Sequence, residues 1–363
     1  MHPKTTTPNG NPNEMVIGLD DPILVTGATG FIGPRLVANL LDRGFRNVRC
    51  FTRPSSNPRQ VEAILGRRSD GATVQLITGN LLSREDCLAA TKDVTVIYHL
   101  AAGRGEKSFP DAFMNSVVTT RNLLDAVLKN GALRRFVNVS SFAVYANKDN
   151  PKGTLLDESA PVNTDTRSQS DAYSFAKLKQ DAIIEEYGKK YGLPYAIVRP
   201  GYVYGPGNPA LTGRVGIRTF GPFLHLGGSN TIPFTYVDNC AEAILLVGLK
   251  KGIDGEVFNV VDDDLFSSRR LLRQYKRNVK NFRSFYIPHG VSYLMCSFWE
   301  WYARWSQGQL PPAFNRGKWR TFWKKTRYTN EKLKTRVGWT PKVSTADGLA
   351  RYFESCRNGG QHA

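Results

Sequence analysis

The chain is poor in the residues that would tie it to metal or disulfide chemistry. Its five cysteines (Cys50, Cys87, Cys240, Cys296, Cys356) are scattered through 363 residues, with no Cys-x-x-Cys pair. An odd, dispersed set argues against a disulfide framework or structural zinc and fits a reducing cytoplasm. The five histidines show no ligand spacing, so no metal site is expected. His99, inside the apolar run Val96–Ala101, reads as a satisfied core histidine. No stretch of about 18 or more uncharged apolar residues exists to span a bilayer. Residues 1–21 are rich in Thr, Pro and Asn, lack the apolar segment of a secretory signal, and read as a disordered leader. Acids are scarce as well: 31 Asp and Glu stand against 49 Lys and Arg, for a formal net charge of +18. That charge favours phosphorylated ligands, nucleic acid or anionic membrane surfaces, without choosing among them.

What is present is a long alternation of apolar strands and helical patterns. The length predicts two lobes. Strands are expected at Ile23–Thr26, Val48–Arg53, Val74–Thr78, Val94–Leu100, Arg135–Ser140, Tyr195–Arg199 and Glu256–Val261. Helices are expected at Phe31–Arg43, Pro110–Asn130 (stopped by Gly131), Asp171–Tyr191 and Asn239–Gly248. Near-continuous apolar strands separated by helices imply an α/β fold, a doubly wound parallel sheet of the Rossmann type. Gly and Pro cluster from Pro200 to Pro233, where the rhythm breaks. The expected division is a dinucleotide-binding domain over 22–202 and 238–262, with a smaller substrate lobe over 203–237 and 263–363. No internal repeat is visible.

Strand, then Gly27-x-x-Gly30-x-x-Gly33, then helix is the context a phosphate-binding glycine loop requires. Gly27 permits the tight turn, Gly30 lets backbone approach a pyrophosphate, and Gly33 allows close helix–strand packing. The anion then meets free N–H groups at a helix N-terminus. The second strand ends Phe51-Thr52-Arg53-Pro54, with no acid to bond a ribose 2′-hydroxyl. Arg53 can instead make charge-assisted bonds to a 2′-phosphate, so NADP is favoured over NAD.

Tyr173 and Lys177 stand four residues apart on one predicted helix and share a face. A free tyrosine has a pKa near 10, about three units from neutrality, or roughly 4 kcal/mol. A neighbouring ammonium and a cationic nicotinamide both favour the phenolate, which can then exchange a proton with a secondary alcohol during hydride transfer. The fifth strand ends Val139-Ser140-Ser141 at the carboxyl edge of the sheet, where open α/β folds bind ligands. A hydroxyl there can orient the substrate oxygen.

With these segments the chain resembles an extended short-chain dehydrogenase/reductase of the NAD-dependent epimerase/dehydratase group, in its 3β-hydroxysteroid dehydrogenase-like branch. The resemblance rests on Thr26–Gly33, Gly79–Leu82, Tyr98–Ala102, Asn115–Leu123, Val139–Tyr145, Tyr173–Lys177, Arg199–Gly207, Tyr236–Asn239 and Val337–Lys342, and runs from about Ile23 to Tyr352. It implies a catalytic triad of Ser141, Tyr173 and Lys177, with Lys177 also holding the nicotinamide ribose. It implies that Phe31 and Ile32 complete the glycine loop and that Asn80 and Leu81 border the adenine, although the family more often has Asp at the position of Asn80. Ala101 and Ala102 would line the cofactor trough, and Tyr202 and Val203 the nicotinamide end. Asn115 is expected to kink its helix or to support the site from behind, rather than to take part in acid–base chemistry, and Asp238 to cap the helix that follows it. A homodimer through the two long helices is a further family expectation.

Two departures narrow the branch. The sugar-nucleotide dehydratases carry an Asp-Glu pair directly after the position of Ser141, whereas this chain has Phe142-Ala143. Sugar-nucleotide epimerases commonly carry Asn where Tyr202 stands. Net oxidation or reduction of a secondary alcohol or ketone, sterol-like or otherwise, is therefore the first expectation. A nucleotide-sugar epimerase using transient oxidation is the second, and a non-catalytic NAD(P)-binding regulatory protein the third.

Val291, Leu294, Met295, Phe298, Trp301, Tyr302 and Trp305 recur at the spacing of one helix face. From Arg316 to Arg336, nine Lys or Arg residues meet one acid, Glu331. The plainer reading is a core-facing helix followed by a solvated basic surface. The sharper one is a helix lying in an anionic membrane surface, which would make a cytoplasmic protein peripheral to the membrane. Nucleic acid is not expected, because a core-like aromatic face is not the exposed stacking platform that single strands need.

Overall fold

The computed structural model describes residues 14–66, 73–103, 108–147, 150–163, 172–208, 213–218, 221–306 and 315–359. The expected α/β fold is present. Seven parallel strands form one sheet: β1 Ile23–Thr26, β2 Asn47–Thr52, β3 Thr73–Thr78, β4 Val96–His99, β5 Arg135–Val139, β6 Tyr195–Pro200 and β7 Glu256–Val260. Their spatial order is β3-β2-β1-β4-β5-β6-β7. The order reverses beside β1, and the crevice outside the strand ends at that point is where doubly wound sheets bind ligands.

Helices cover both faces. They include α1 Gly33–Asp42, α2 Thr119–Asn130, α3 Ala172–Tyr191 and α4 Val237–Leu249. On α1 the apolar stripe Leu36, Val37, Leu40 and Leu41 is buried against β1 and α4. Each such side chain contributes about 1.5–3 kcal/mol by leaving water. Two short helices that the periodicity did not reveal, Arg59–Leu65 and Arg84–Ala90, make the β2–β3 and β3–β4 crossovers.

The helix expected over Pro110–Asn130 is broken in winding. A single turn, Phe109–Ala112, passes into a π-helical stretch, Phe113–Val118, and only then into α2. Asn115 lies within that stretch, as its kink reading anticipated. Gly131 ends α2 in the left-handed conformation at φ 68°. Residues 14–21, assigned above to the leader, lie against the body instead: Ile17 is buried in the main core, Val16 N–H donates to the Leu249 carbonyl, and Glu14 pairs with Lys250. Residues 1–13 lie outside the described residues. Asp238 does not cap its helix. The helix begins one residue earlier, at Val237, and Asp238 forms an ion pair with Arg35 of α1 at 2.9 Å.

After β6 the chain builds small sheets. Tyr202–Tyr204 pairs with Phe234–Tyr236, and Phe223–His225 lies between Gly216–Arg218 and Ser284–Tyr286. A separate aromatic core of Tyr204, Phe234, Tyr236, Tyr352 and Phe353 holds this part together. It also contains α5 Ser268–Asn278 and α6 His289–Trp305.

Candidate active site

The loop after β1 is built by close backbone approach. Gly27 has φ +71°, and a Cβ there would sit 2.8 Å from the Ala101 nitrogen, so the turn can close against β4's exit only without a side chain. A Cβ on Gly33 would lie 2.4 Å from the Gly27 carbonyl oxygen, which fixes how tightly α1 starts against the loop. The first turn of α1 has no side-chain cap and no acid, and Pro34 removes one donor without loss. The Arg35 and Leu36 N–H groups both donate to the Ile32 carbonyl at 3.1 Å, which leaves the Gly33 N–H of that turn for an anion. Phe31 and Ile32 continue from the loop into the smaller lobe's core, where Phe31 lies beneath the Arg35 guanidinium. This uncapped, positively polarised helix start, with no acid in its first turn, fits a dinucleotide pyrophosphate.

Lys177 is carried on α3 and fully buried, yet its Nζ donates to the Val139 carbonyl at 2.7 Å, at the last residue of β5. That single bond brings the ammonium to the carboxyl edge of the sheet, two residues from Ser141. Burial pulls the Lys177 pKa down to about 8, while the nearby Asp181 carboxylate holds it up. The two serines have separate tasks. Ser140 is buried and donates to Asp181 at 2.9 Å; Ser141 is half-buried, and its Oγ accepts from the Ala143 N–H at 3.2 Å. Tyr173, one turn before Lys177, is 37% exposed. The helix bearing both packs on the turn that follows Ser141. One buried cation and one half-buried hydroxyl thus lie at one sheet edge, and a partly exposed tyrosine stands one helical turn before the cation.

Beneath them lies a polar network that the sequence reading did not single out. Asp181, one further turn along α3, is 2% exposed and accepts from Asn138 Nδ2 at 2.9 Å, from Ser140, and from Arg199 Nε and Nη2 at 3.2 and 3.1 Å. Burial pushes its carboxyl above the ordinary range, and Arg199 and the Ser140 hydroxyl pull it back. The spacing Lys177–Asp181 was the available signal; the strand-borne partners, far apart in sequence, gave none. A second network links the loop to α3. Thr26 Oγ1 meets His99 Nδ1 at 2.8 Å, His99 Nε2 meets Thr120 Oγ1 at 2.9 Å, and Gln180 Nε2 donates to Thr120 Oγ1 at 2.8 Å. Thr120 gives its own proton to the Ser116 carbonyl, so His99 must donate from Nε2 and accept at Nδ1. Burial lowers the His99 pKa to about 3, which keeps it neutral. The core-histidine reading stands.

The remaining expected residues follow the ends of β2, β3 and β4 or lie on the strand after β6. Ala101 and Ala102 are half-buried at the exit of β4, and Ala101 N–H donates to Thr26 Oγ1 at 3.3 Å. Asn80 is exposed and its side chain accepts from Leu82 N–H at 3.0 Å, while buried Leu81 is fastened through its carbonyl to Asn122. Arg53 is exposed at the end of β2, with no side-chain partner among the described residues. Tyr202 and Val203 lie half-buried on the strand that enters the smaller lobe. Asp171, the expected first residue of α3, lies outside the described residues.

Residues 23–260 match the family described as NAD dependent epimerase/dehydratase. The chain belongs to that family. Among relatives, the trifunctional UDP-glucose 4,6-dehydratase/UDP-4-keto-6-deoxy-D-glucose 3,5-epimerase/UDP-4-keto-L-rhamnose-reductase RHM2 of Arabidopsis thaliana is 30% identical over 259 residues, covering 66% of this chain and 36% of that protein. The chain thus spans about a third of that relative's length. The 3β-hydroxysteroid-dehydrogenase/decarboxylase isoform 1 of Arabidopsis thaliana is 26% identical over 365 residues, covering 92% of this chain and 79% of the relative. Among solved structures, UDP-glucuronic acid 4-epimerase from Bacillus cereus in complex with NAD superposes with a TM-score of 0.67 at 24% identity, over 93% of this chain and 99% of that one. The last likeness shows the fold alone. Within this NAD-dependent family the chain keeps an apolar pair after Ser141: Phe142 is buried against Tyr145 and stacked on Tyr328, and neither it nor Ala143 can hold a proton.

Proposed function

We propose that the chain is an NAD(P)-dependent oxidoreductase that interconverts a secondary alcohol and a ketone. The observation that carries this reading is the Lys177–Val139 bond, which sets the ammonium at the strand end leading to Ser141. Arg53, exposed and without a side-chain partner among the described residues, supports NADP over NAD.

When bound, the nicotinamide supplies or accepts the hydride. Ser141 holds the substrate oxygen through its hydroxyl. In the oxidative direction Tyr173 takes the alcohol proton as general base; in the reductive direction it returns a proton to the carbonyl oxygen. Lys177, charged below its lowered pKa, favours the phenolate of Tyr173 and offers a donor to the ribose. General acid–base help of this kind is worth about 10²–10⁴ in rate.

The span shared with the sterol relative, together with the apolar Phe142-Ala143 pair, supports a sterol-like alcohol or ketone over a nucleotide sugar. The region shared with the trifunctional relative supports the second reading, an epimerase acting by transient oxidation. A homodimer through α3 and the 109–130 helix is supported by exposed Phe113, Met114 and Tyr191 on those elements. The five buried thiols, none in a disulfide, support a cytoplasmic setting. No helix among the described residues is long and apolar enough to cross a membrane. We place the protein at a membrane surface. The test is cofactor absorbance followed during a screen of sterols, small ketones and nucleotide sugars with both cofactors. Net change with an alcohol or ketone supports the oxidoreductase. An inverted sugar with unchanged cofactor supports the epimerase, and silence with every class supports a binding protein.

A further inference from the structure

The plainer expectation for the aromatic helix fails on the structure. Helix α6 buries Ser292, Cys296 and Ala303. The periodic stripe points outward: Leu294 and Trp305 are each 68% exposed, Phe298 65% and Trp301 58%, with Val291 and Met295 close to half. On its inner side α6 packs against the helix Arg316–Phe322, where Trp319 Nε1 donates to Ser292 Oγ at 2.8 Å and its ring meets Tyr293 and His289. The helix is therefore held firmly to the protein by one face while presenting large apolar side chains on the other. Exposed apolar residues are ordinary when single, but a contiguous stripe of this kind marks a contact surface.

The charge around the stripe says which contact. Between Leu265 and Lys325, thirteen Lys or Arg residues stand against one acid, Glu300. Glu300 is already paired with Arg304 and Arg316. Two residues, Ile287 and Pro288, join α6 to the strand Ser284–Tyr286, which exposes Phe285 (57%) and Tyr286 (46%). Beside that strand runs α5, whose Arg269, Arg273, Lys276 and Arg277 share one face and line an open cavity of about 490 Å³ with no acid in its wall. His225 also lines it, and burial lowers its pKa to about 4, so it adds no charge. A second opening of about 550 Å³ places Lys276 and Arg283 beside Phe285. The Arg269 guanidinium lies 5.2 Å over the Tyr286 ring, which joins the cationic wall to the apolar strand.

The geometry points to a monotopic docking surface for an anionic bilayer. The outward stripe of α6, with Phe285 and Tyr286, enters the acyl boundary, and the α5 cations take lipid phosphate headgroups. An amphipathic helix that lies in the interface needs an apolar face and basic flanks, and both are present. Each Lys or Arg held near an anionic surface contributes roughly 1 kcal/mol, which corresponds to about fivefold in affinity per cation. A second copy of this chain would instead have to bring equal cationic density against itself, which Coulomb repulsion disfavours. The proposal deepens the membrane placement given above and is independent of the hydride chemistry, because its readout needs no turnover.

The experiment sediments the full chain with phosphatidylcholine vesicles and with vesicles that also contain phosphatidylserine. The wild type should pellet with the anionic vesicles and release at high salt. Leu294→Glu with Phe298→Glu should lower anionic-vesicle binding by at least about tenfold, because charge on the apolar face cannot enter the acyl layer. Arg273→Glu with Lys276→Glu should lower binding to anionic vesicles while leaving the weak binding to neutral ones unchanged. None of the four residues belongs to the proposed triad, and unchanged melting temperatures would show that the variants fold. Wild-type protein that stays in the supernatant with both vesicle types overturns the placement and the surface together. Binding that survives both double variants leaves the placement standing and overturns this surface. A particle mass that halves in the Leu294→Glu, Phe298→Glu variant assigns the face to a second copy and overturns the proposal as well.

Discussion

The carboxyl edge of the sheet and the outer face of α6 break the ordinary inside–outside rule in opposite directions. At the sheet edge, charged and polar side chains are buried: Lys177, Asp181, Arg199, Gln180 and His99 are each under 5% exposed. On α6, six large apolar side chains face outward. The first anomaly is balanced within the chain, because almost every buried donor finds an acceptor on a strand or helix nearby. The second is not balanced within the chain. A protein that encloses its exceptions internally is fixing geometry for chemistry; one that leaves them outward is offering a surface.

The largest expected effect tests the enclosed region. Tyr173→Phe keeps the ring but removes the proton carrier, so turnover should fall by about 10²–10⁴ while cofactor affinity, measured by titration, stays nearly constant. Retention of most of the turnover would show that the sheet edge is enclosed for stability alone. Next comes Asp181. Asp181→Ala leaves Arg199 buried without its counter-charge and should cost about 3–5 kcal/mol in denaturant unfolding. Its charge also supports the Lys177 ammonium, so a milder change, Asp181→Asn, should shift the pH–rate profile. In the wild type, Lys177 loses its proton as pH rises through about 8, and activity should fall there. Removing the carboxylate lets burial lower that pKa further, moving the alkaline limb toward neutral pH. An unmoved limb would separate Asp181 from catalysis.

A smaller change is expected at Arg53. Arg53→Ala should weaken NADP by about 10- to 100-fold, the loss of a charge-assisted bond, and hardly affect NAD. Equal weakening of both would assign Arg53 to the loop. The smallest effect belongs to the outward stripe: Leu294→Ala should change folding stability by less than about 0.5 kcal/mol. By contrast, Leu36→Ala, in the packed stripe of α1, should cost about 2–5 kcal/mol. Chemical denaturation of the two variants side by side measures the comparison directly.

The sheet was legible because each buried strand is a local apolar run, and Ile23–Thr26 matches its element residue for residue. The pairing of Tyr173 and Lys177 on one helix was legible because a four-residue spacing on a helix is local too. Asp181 shows where local reading stops: it lies on α3, whereas its partners come from β5 (Asn138), the residue just after β5 (Ser140) and β6 (Arg199), and only the assembled sheet brings them together. Asp238 looked like a cap from its position, but Arg35 of the adjoining helix α1 pairs with it. For α6 the period identified the stripe correctly and said nothing of which side met water. Periodicity measures segregation along a helix; only packing decides direction.

The π-helical stretch Phe113–Val118 has a consequence for how this chain tolerates change in length. A π turn accommodates one residue more than an α turn, and one residue in an α-helix corresponds to about 100° of rotation. Loss of a single residue from 113–118 would let the segment relax into regular winding and swing everything before it around the axis. Ser116, which holds Gly103 N–H at 2.9 Å, and Phe109 and Phe113, which rest on Phe175 of α3, would then point elsewhere. The extra residue acts as a phase setting: it keeps the start of this helix aimed at the helix that bears Tyr173, and a one-residue deletion there is a far larger perturbation than a substitution at the same place.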